Sequence, residues 1–87
     1  MKFAAIIEYI TDAEKIQAVR PVHRAYLGRL REQGQLVTSG PFQDGSGALI
    51  VYEAESAEAA EQLVRDDPFH QNGVFVSWAL RPWNQVF

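Results

Sequence analysis

Residues 2–10, KFAAIIEYI, alternate so that apolar side chains fall on both sides of a single strand. One side carries Phe3, Ala5, Ile7 and Tyr9, and the other carries Ala4, Ile6 and Ile10. A strand with this pattern is buried on both faces. The chain has only 87 residues, and a chain of that size buries about 60–65% of its unfolded surface by itself. We therefore expect helices on one face of a sheet and a further apolar surface on the other.

A long helix is predicted after this strand. Thr11 is the expected N-cap, with Glu14 as its capping-box partner, and Gly34 is the expected residue that ends the helix. The apolar stripe of the helix consists of Ile16, Val19, His23, Leu27 and Leu30. Pro21 lacks an N–H and clashes with the carbonyl four residues before it. We therefore expect Pro21 to kink the helix or divide it, with a second piece beginning near residue 20.

The rest of the chain predicts three strands and a second helix. The predicted segments are residues 35–42 (strand), 48–54 (strand), 57–65 (helix) and 74–83 (strand). The turn DGSG joins the first two of these as a hairpin, and Ser56 is the N-cap of the helix. In the last strand, one face is predicted to carry Val74, Val76, Trp78 and Leu80. The order β-α-β-β-α-β is that of a ferredoxin-like α+β fold with a four-stranded antiparallel sheet, and residues 1–87 are predicted to form one domain.

Composition excludes several classes of protein. The chain contains no cysteine, so disulfides, thiolate metal sites and cysteine nucleophiles are excluded. The formal net charge is −3, and the eight Lys and Arg residues are scattered, with no run longer than the pair Arg29 and Arg31. A basic patch is normal for a nucleic-acid-binding protein, so no nucleic-acid partner is expected. The apolar N-terminal segment is too short for a membrane span and unlike a signal peptide, so we expect a soluble, cytoplasmic protein with no membrane partner.

One face of the predicted sheet has no cover within the chain. Right-handed crossovers place both helices on the same face, yet the first, third and fourth strands carry apolar residues at both alternating positions. An exposed apolar surface of this extent indicates an interaction surface. We expect a homodimer that packs sheet against sheet. The alternative is an open sheet face that simply remains apolar.

His23 and Asp67 are the first candidates for chemistry. His23 lies on the helix stripe that packs against the sheet, and an imidazole gives or takes a proton near neutral pH. The alternative for His23 is a core histidine satisfied by a backbone carbonyl. Asp67 extends the buried stripe of the second helix, where a carboxylate orients an imidazole by accepting its N–H. The alternative for Asp67 is an N-cap with Pro68 at the next position, which starts a turn through Phe69 and His70.

Candidates for substrate binding have equally plain alternatives. Arg20 either neutralises an anion or is an ordinary surface arginine. Tyr26 either lines a pocket or packs in the core with its hydroxyl at the rim. Ser39 either donates a hydrogen bond to a ligand or belongs to a turn, and Gly40 before Pro41 predicts a bulge or an edge strand. The spacing of the two histidines and the absence of a phosphate-binding loop predict no metal and no cofactor.

Four segments, VRPVHRAYLGRL, GQLVTSGP, DDPFHQNGVF and RPWNQVF, resemble in this order the YciI-like (YCII-related) family of small bacterial proteins, over essentially the whole chain. The resemblance implies a fold of the dimeric α+β barrel superfamily. It also implies a pocket whose catalytic pair is His23 and Asp67, with Arg20 and Ser39 beside it. One branch of the family is similar to a dehydrochlorinase of chlorinated hydroxyquinols, and muconolactone isomerases are related proton-transfer enzymes. The segment QDGSG is shorter than the corresponding loop of longer relatives.

Three functions agree with these residues. The first is a cofactor-free lyase or isomerase of a small cyclic or aromatic compound, in which His23 shuttles a proton, Asp67 orients it, and Ser39 or a backbone N–H binds the oxyanion. That function predicts that His23→Ala keeps the fold and the dimer and loses turnover. The second is a ligand-binding or sensing module that leaves its ligand unchanged. The third is a dimerisation domain in which the His23–Asp67 hydrogen bond is structural and its loss costs about 1–3 kcal/mol.

Overall fold

The computed structural model describes all 87 residues, which form four strands and three helices. In chain order these are β1 (Lys2–Tyr9), α1 (Ala13–Glu32), β2 (Leu36–Pro41), β3 (Gly47–Glu53), α2 (Ala57–Arg65), α3 (Pro68–Gln71) and β4 (Phe75–Trp83). The strands form one antiparallel sheet in the spatial order β2-β3-β1-β4. This arrangement confirms the predicted ferredoxin-like α+β fold. Only the short helix α3 was not predicted as a helix.

Helix α1 corrects two predictions. Its N-cap is Asp12, whose carboxylate accepts a hydrogen bond from the backbone N–H of Lys15, and not Thr11. The helix also runs unbroken through Pro21 for 20 residues, so the predicted division near residue 20 is wrong. Proline removes one backbone hydrogen bond, but buried side chains on both sides of Pro21 hold the helix against the sheet. Packing therefore outweighs the local preference of proline.

The end of α1 follows the prediction. Gly34 has a φ of +77°, a left-handed conformation that glycine adopts without strain. The backbone N–H groups of Gly34 and Gln35 donate to the carbonyls of Arg31 (3.1 Å) and Leu30 (2.8 Å). These two bonds form a Schellman motif, which satisfies the last carbonyls of the helix. The motif turns the chain directly into β2.

Two register shifts change which side chains face the helices. In β2 the shift lies between Leu36 and Thr38, where one extra residue bulges and places Ser39 opposite Ile50 on the helix-covered face. In β4 an extra residue at Val76 has the same effect, so Phe75 is buried and Val76 is exposed. The predicted placement of Val76 on the face of Trp78 is therefore wrong. A β-bulge shifts the alternation by one residue, which strict periodicity does not predict.

The helices and one sheet face enclose the apolar core, and the other face is open. Several core side chains are completely or almost completely buried: Phe3, Ile7, Ile50, Tyr52, Val64 and Phe69. On the open face, Ile6 and Leu49 pair across β1 and β3 and are 46% and 38% exposed, and Trp83 is 43% exposed. None of the helices combines the length and apolar character needed to cross a membrane. The single-domain assignment and the cytoplasmic location stay predictions.

Candidate functional site

A cavity of about 330 Å³ lies between helix α1 and the strands β2, β3 and β1. Four of the predicted site residues line it: Arg20, His23, Ser39 and Gly40. Arg20 and His23 come from α1, and Ser39 and Gly40 come from β2, which is an edge strand as the sequence predicted. Asp67 contacts His23 but does not itself line the cavity, and Tyr26 does not line it either. The fold thus brings most of the candidate residues to one place.

His23 and Asp67 are in direct contact although 44 positions separate them in the sequence. The distance from His23 Nδ1 to Asp67 Oδ1 is 2.7 Å. Both residues are buried, with 6% of His23 and none of Asp67 exposed. An ionised carboxylate only accepts hydrogen bonds, so the Nδ1–H group of His23 donates the hydrogen bond to Asp67 Oδ1. This leaves Nε2, which has no hydrogen-bond partner in the chain, as the ring nitrogen available to a molecule in the cavity.

The segment Asp67-Pro68-Phe69 builds the support of the imidazole. Asp67 is the N-cap of α3, and its Oδ1 also accepts a hydrogen bond from the backbone N–H of Phe69 at 2.9 Å. Asp67 therefore both contacts the imidazole and caps α3, and its Oδ1 atom makes both contacts. The Phe69 ring stacks on the His23 ring, with centroids 3.9 Å apart and planes 10° apart. The N-terminus of α3 thus fixes both the position and the plane of the imidazole.

Ser39 and Gly40 form the opposite wall. The bulge in β2 turns Ser39 towards α1, and its hydroxyl makes no hydrogen bond within the chain, so it can donate to a ligand. A Cβ at Gly40 would meet no atom within 4 Å, so no close approach of neighbouring atoms requires a glycine there. The irregular pairing predicted near Gly40 occurs instead between Leu36 and Thr38.

Tyr26 is not part of the cavity. Its hydroxyl donates to the backbone carbonyl of Leu63 at 2.7 Å, and only 9% of the residue is exposed. Burial raises the pKa of Tyr26 well above its ordinary value. The structure therefore matches the core-packing alternative, in which Tyr26 fastens α1 to α2.

Tyr9 is a cavity residue that the sequence analysis assigned only to the core. It is 5% exposed, and its ring packs edge-on against Phe69 at a centroid distance of 5.4 Å. Burial raises the pKa of the Tyr9 phenol, and the charge of Arg20 offsets part of that rise. The phenol is therefore neutral near pH 7 and is not a base there.

Arg24 and Arg31 also line the cavity, and the sequence analysis missed both. Together with Arg20 they stand four and seven residues apart on α1, a spacing that keeps them on one side of a helix. That spacing was the available signal. No carboxylate lines the cavity, and no group of three or more His, Cys, Asp or Glu side chains converges anywhere in the structure.

Comparisons with known proteins agree with the fold and with the resemblance seen in the sequence. The model of the YCII-related domain family matches residues 1–84. Protein YciI of Escherichia coli is 33% identical, and an uncharacterized protein of Haemophilus influenzae is 30% identical; each alignment covers 85% of this chain and 86% of the relative.

Two solved structures share the fold at low sequence identity. One is the 5-chloro-2-hydroxyhydroquinone dehydrochlorinase of Burkholderia phenoliruptrix in complex with 2,5-dihydroxybenzoquinone, with a TM-score of 0.83, 23% identity, and coverage of 97% of this chain and 94% of that chain. The other is a muconolactone isomerase, with a TM-score of 0.74, 13% identity, and coverage of 98% and 90%. At these identities the likeness extends to the fold alone.

Proposed function

This chain belongs to the YCII-related domain family, and we propose that it is a small enzyme that uses His23 and Asp67 for general acid–base chemistry on a small cyclic or aromatic compound. The observation that carries the proposal is the 2.7 Å contact between His23 Nδ1 and Asp67 Oδ1 at the wall of a cavity. The contact leaves Nε2 as the proton-transfer atom. The reaction class is an elimination, an isomerisation or a hydration, and it requires no cofactor.

The proton follows a short route. His23 Nε2 removes a proton from a carbon next to a carbonyl, and the electron pair of the broken C–H bond moves through the new C=C bond onto the carbonyl oxygen, which gives an enolate. The hydroxyl of Ser39 stabilises that oxyanion by donating a hydrogen bond. In an isomerisation the imidazolium returns the proton at another carbon, and in an elimination the electron pair expels a leaving group such as chloride. Asp67 stabilises the imidazolium that forms in either case.

The solved structures of similar fold support the class of substrate. One is a dehydrochlorinase, with 5-chloro-2-hydroxyhydroquinone in its name and 2,5-dihydroxybenzoquinone in its complex, and the other is an isomerase of muconolactone. Both names describe small oxygenated rings. A cavity of about 330 Å³ is at the small end of the range for ligand sites, which suits a single ring.

We expect the protein in D₂O to exchange an acidic C–H of such a compound, or to convert it, faster than buffer alone. The panel contains 5-chloro-2-hydroxyhydroquinone, muconolactone and 2,5-dihydroxybenzoquinone, followed by ¹H NMR. Exchange is a sensitive readout because it needs only the first proton transfer and not the complete reaction. Saturable binding of ring compounds without exchange or conversion in any of them would instead support a binding or sensing module.

We further propose a homodimer formed through the open face of the sheet. The exposed side chains of Ile6, Leu49 and Trp83 form an apolar surface there, and a second copy of the same surface would bury it.

Leu49→Glu is expected to weaken self-association by at least about 100-fold, because it would bury an unpaired carboxylate in that interface. Sedimentation equilibrium measures the change. Val22→Glu is the matched control, since Val22 is 57% exposed on α1, away from the open face. A wild-type protein that sediments as a monomer, or equal weakening by both variants, contradicts the proposed dimer.

A further inference from the structure

Helix α1 presents a row of arginines to the cavity. Arg20, Arg24 and Arg31 all line it, and Gly28 lies between the last two on the same side of the helix. A Cβ at Gly28 would meet no atom within 4 Å, so the space between the arginines is open. Three guanidinium groups therefore border one small cavity in a chain whose net charge is −3.

No carboxylate neutralises this row. The ion pairs of the structure join the N-terminus and Lys2 to Glu53, and His23 to Asp67; none involves Arg20, Arg24 or Arg31. The carboxylate of Asp67, which contacts the cavity residue His23, is completely buried and already accepts the hydrogen bond of that imidazole. Like-charged guanidinium groups on one side of a helix repel one another, and an anion bound beside them relieves that repulsion.

Two of the arginines lie near His23 along α1 and line the same cavity. Arg20 and Arg24 stand three residues before and one residue after His23 on α1. Burial raises the pKa of Tyr9, which also lines the cavity, and the charges of Arg20 and Arg24 each offset part of that rise. Arg31 stands eight residues beyond His23, or ~12 Å along the helix axis. The arginines nearest the proton-transfer atom are thus Arg20 and Arg24.

We propose that the cavity selects small organic anions, with a carboxylate on a ring compound held by Arg20 and Arg24 while the ring lies against His23. The planar guanidinium forms two parallel hydrogen bonds to a carboxylate, so the pair sets the orientation of the ring as well as its affinity. As a statement about substrate, the inference rests on the proposed function. As a statement about binding, it stands on the arginine row alone.

The same charges assist the proposed chemistry. Proton removal from carbon creates a second negative charge on the ligand, which would be unfavourable next to a carboxylate. Arginines on the same wall offset that repulsion as the charge develops. An anionic substrate and acid–base chemistry at His23 are therefore compatible in one cavity.

The test compares two probes of nearly equal shape, benzoate and benzamide, by NMR titration at low salt. The chain has two histidines, so the ring proton of His23 reports the cavity, and that of His70, which does not line the cavity, serves as an internal reference. We expect benzoate to shift His23 with an affinity at least about tenfold above that of benzamide, and to leave His70 unchanged. Added salt should weaken benzoate binding and not benzamide binding.

Substitutions locate the anion. Arg20→Gln and Arg24→Gln are each expected to weaken benzoate at least about tenfold. Arg29→Gln removes the same charge from the same helix but outside the cavity, where Arg29 lies over the Tyr26 ring, so it should change affinity less than about twofold. Equal affinity for the two probes, or equal weakening by Arg29→Gln and Arg20→Gln, overturns the inference.

The two proposals fail in different ways. Arginine-dependent benzoate binding with no compound turned over would remove the enzymatic function and leave the anion site. Turnover of neutral ring compounds that is unaffected by Arg20→Gln and Arg24→Gln would remove the anion site and leave the enzymatic function.

Discussion

Replacing His23 by Asn is expected to reduce turnover by at least about 10³-fold while the protein remains folded. The Asn side-chain amide places its nitrogen close to the position of the imidazole Nδ1, so it still donates a hydrogen bond to Asp67 Oδ1. It has no atom at the position of Nε2 and does not exchange protons near neutral pH. The variant therefore removes the proton-transfer atom and retains the contact that supports the fold.

The choice of Asn over Ala follows from the packing of His23. From the sequence alone, His23→Ala is expected to leave the fold intact if the role of His23 is catalytic, and to destabilise it if that role is structural. In the structure, His23 is buried, stacks on Phe69 and bonds to Asp67. His23→Ala would leave a buried carboxylate without one of its donors in either case. Loss of stability in that variant therefore does not distinguish the two roles.

The matched control is His70→Asn. His70 is half-buried and meets the edges of Phe75 and Trp78, at centroid distances of 6.2 and 6.3 Å, outside the cavity. Circular dichroism and urea unfolding establish that each variant is folded before exchange or conversion is measured. Activity that survives in folded His23→Asn, or an equal loss in His70→Asn, contradicts acid–base catalysis by His23.

Local sequence patterns predicted most of the fold correctly. The strand alternation, the Ser56 cap and the Gly34 stop each depend on residues close together in sequence, and each lies where the sequence placed it. At Pro21 and Val76 the structure differs from what the local patterns predicted. The helix around Pro21 is held by contacts with the sheet, and the bulge at Val76 arises from the pairing of β4 with β1. Both depend on segments distant in sequence, which local rules do not include.

The candidate site also combines residues that the sequence predicted with residues that it did not. Periodicity placed His23 on the buried side of α1 and Asp67 at the end of the buried stripe of α2, as a carboxylate that orients an imidazole; the family resemblance then identified the two residues as a pair. Arg20 was predicted as a site residue, but Arg24 and Arg31 were not, because they belong to no run of adjacent basic residues. On a helix, charges that share a side are three or four positions apart, so Arg20, Arg24 and Arg31 are scattered in the sequence but line one cavity in the structure.

The second large effect is expected at Asp67, where substitution by Ala should reduce stability much more than substitution by Asn. Asp67→Ala removes the acceptor for both the His23 imidazole and the backbone N–H of Phe69. Removing one partner of a buried pair costs about 3–5 kcal/mol. The total free energy of unfolding of a domain of this size is about 4–13 kcal/mol, so the Ala variant is expected to lie close to its unfolding threshold. Urea unfolding measures this loss.

Asp67→Asn is expected to lose about 1–2 kcal/mol at most, since Asn is also a good N-cap. The backbone N–H of Phe69 requires an acceptor, which fixes the Asn oxygen at the position of Oδ1. The Asn nitrogen then takes the place of Oδ2, which has no hydrogen-bond partner in the chain, and His23 Nδ1 keeps its acceptor. The geometry and the protonated ring nitrogen are thus preserved, and only the negative charge is lost.

Turnover in Asp67→Asn then isolates the contribution of that charge. Because the carboxylate stabilises the imidazolium formed during proton transfer, its loss is expected to lower turnover by about 10²–10⁴-fold in a protein that is still folded. Wild-type turnover in folded Asp67→Asn would mean that Asp67 acts only as a cap and a support for the ring. Equal destabilisation by Asn and Ala would mean that the retained oxygen does not hold α3 and His23 together, which contradicts the role assigned here to Oδ1.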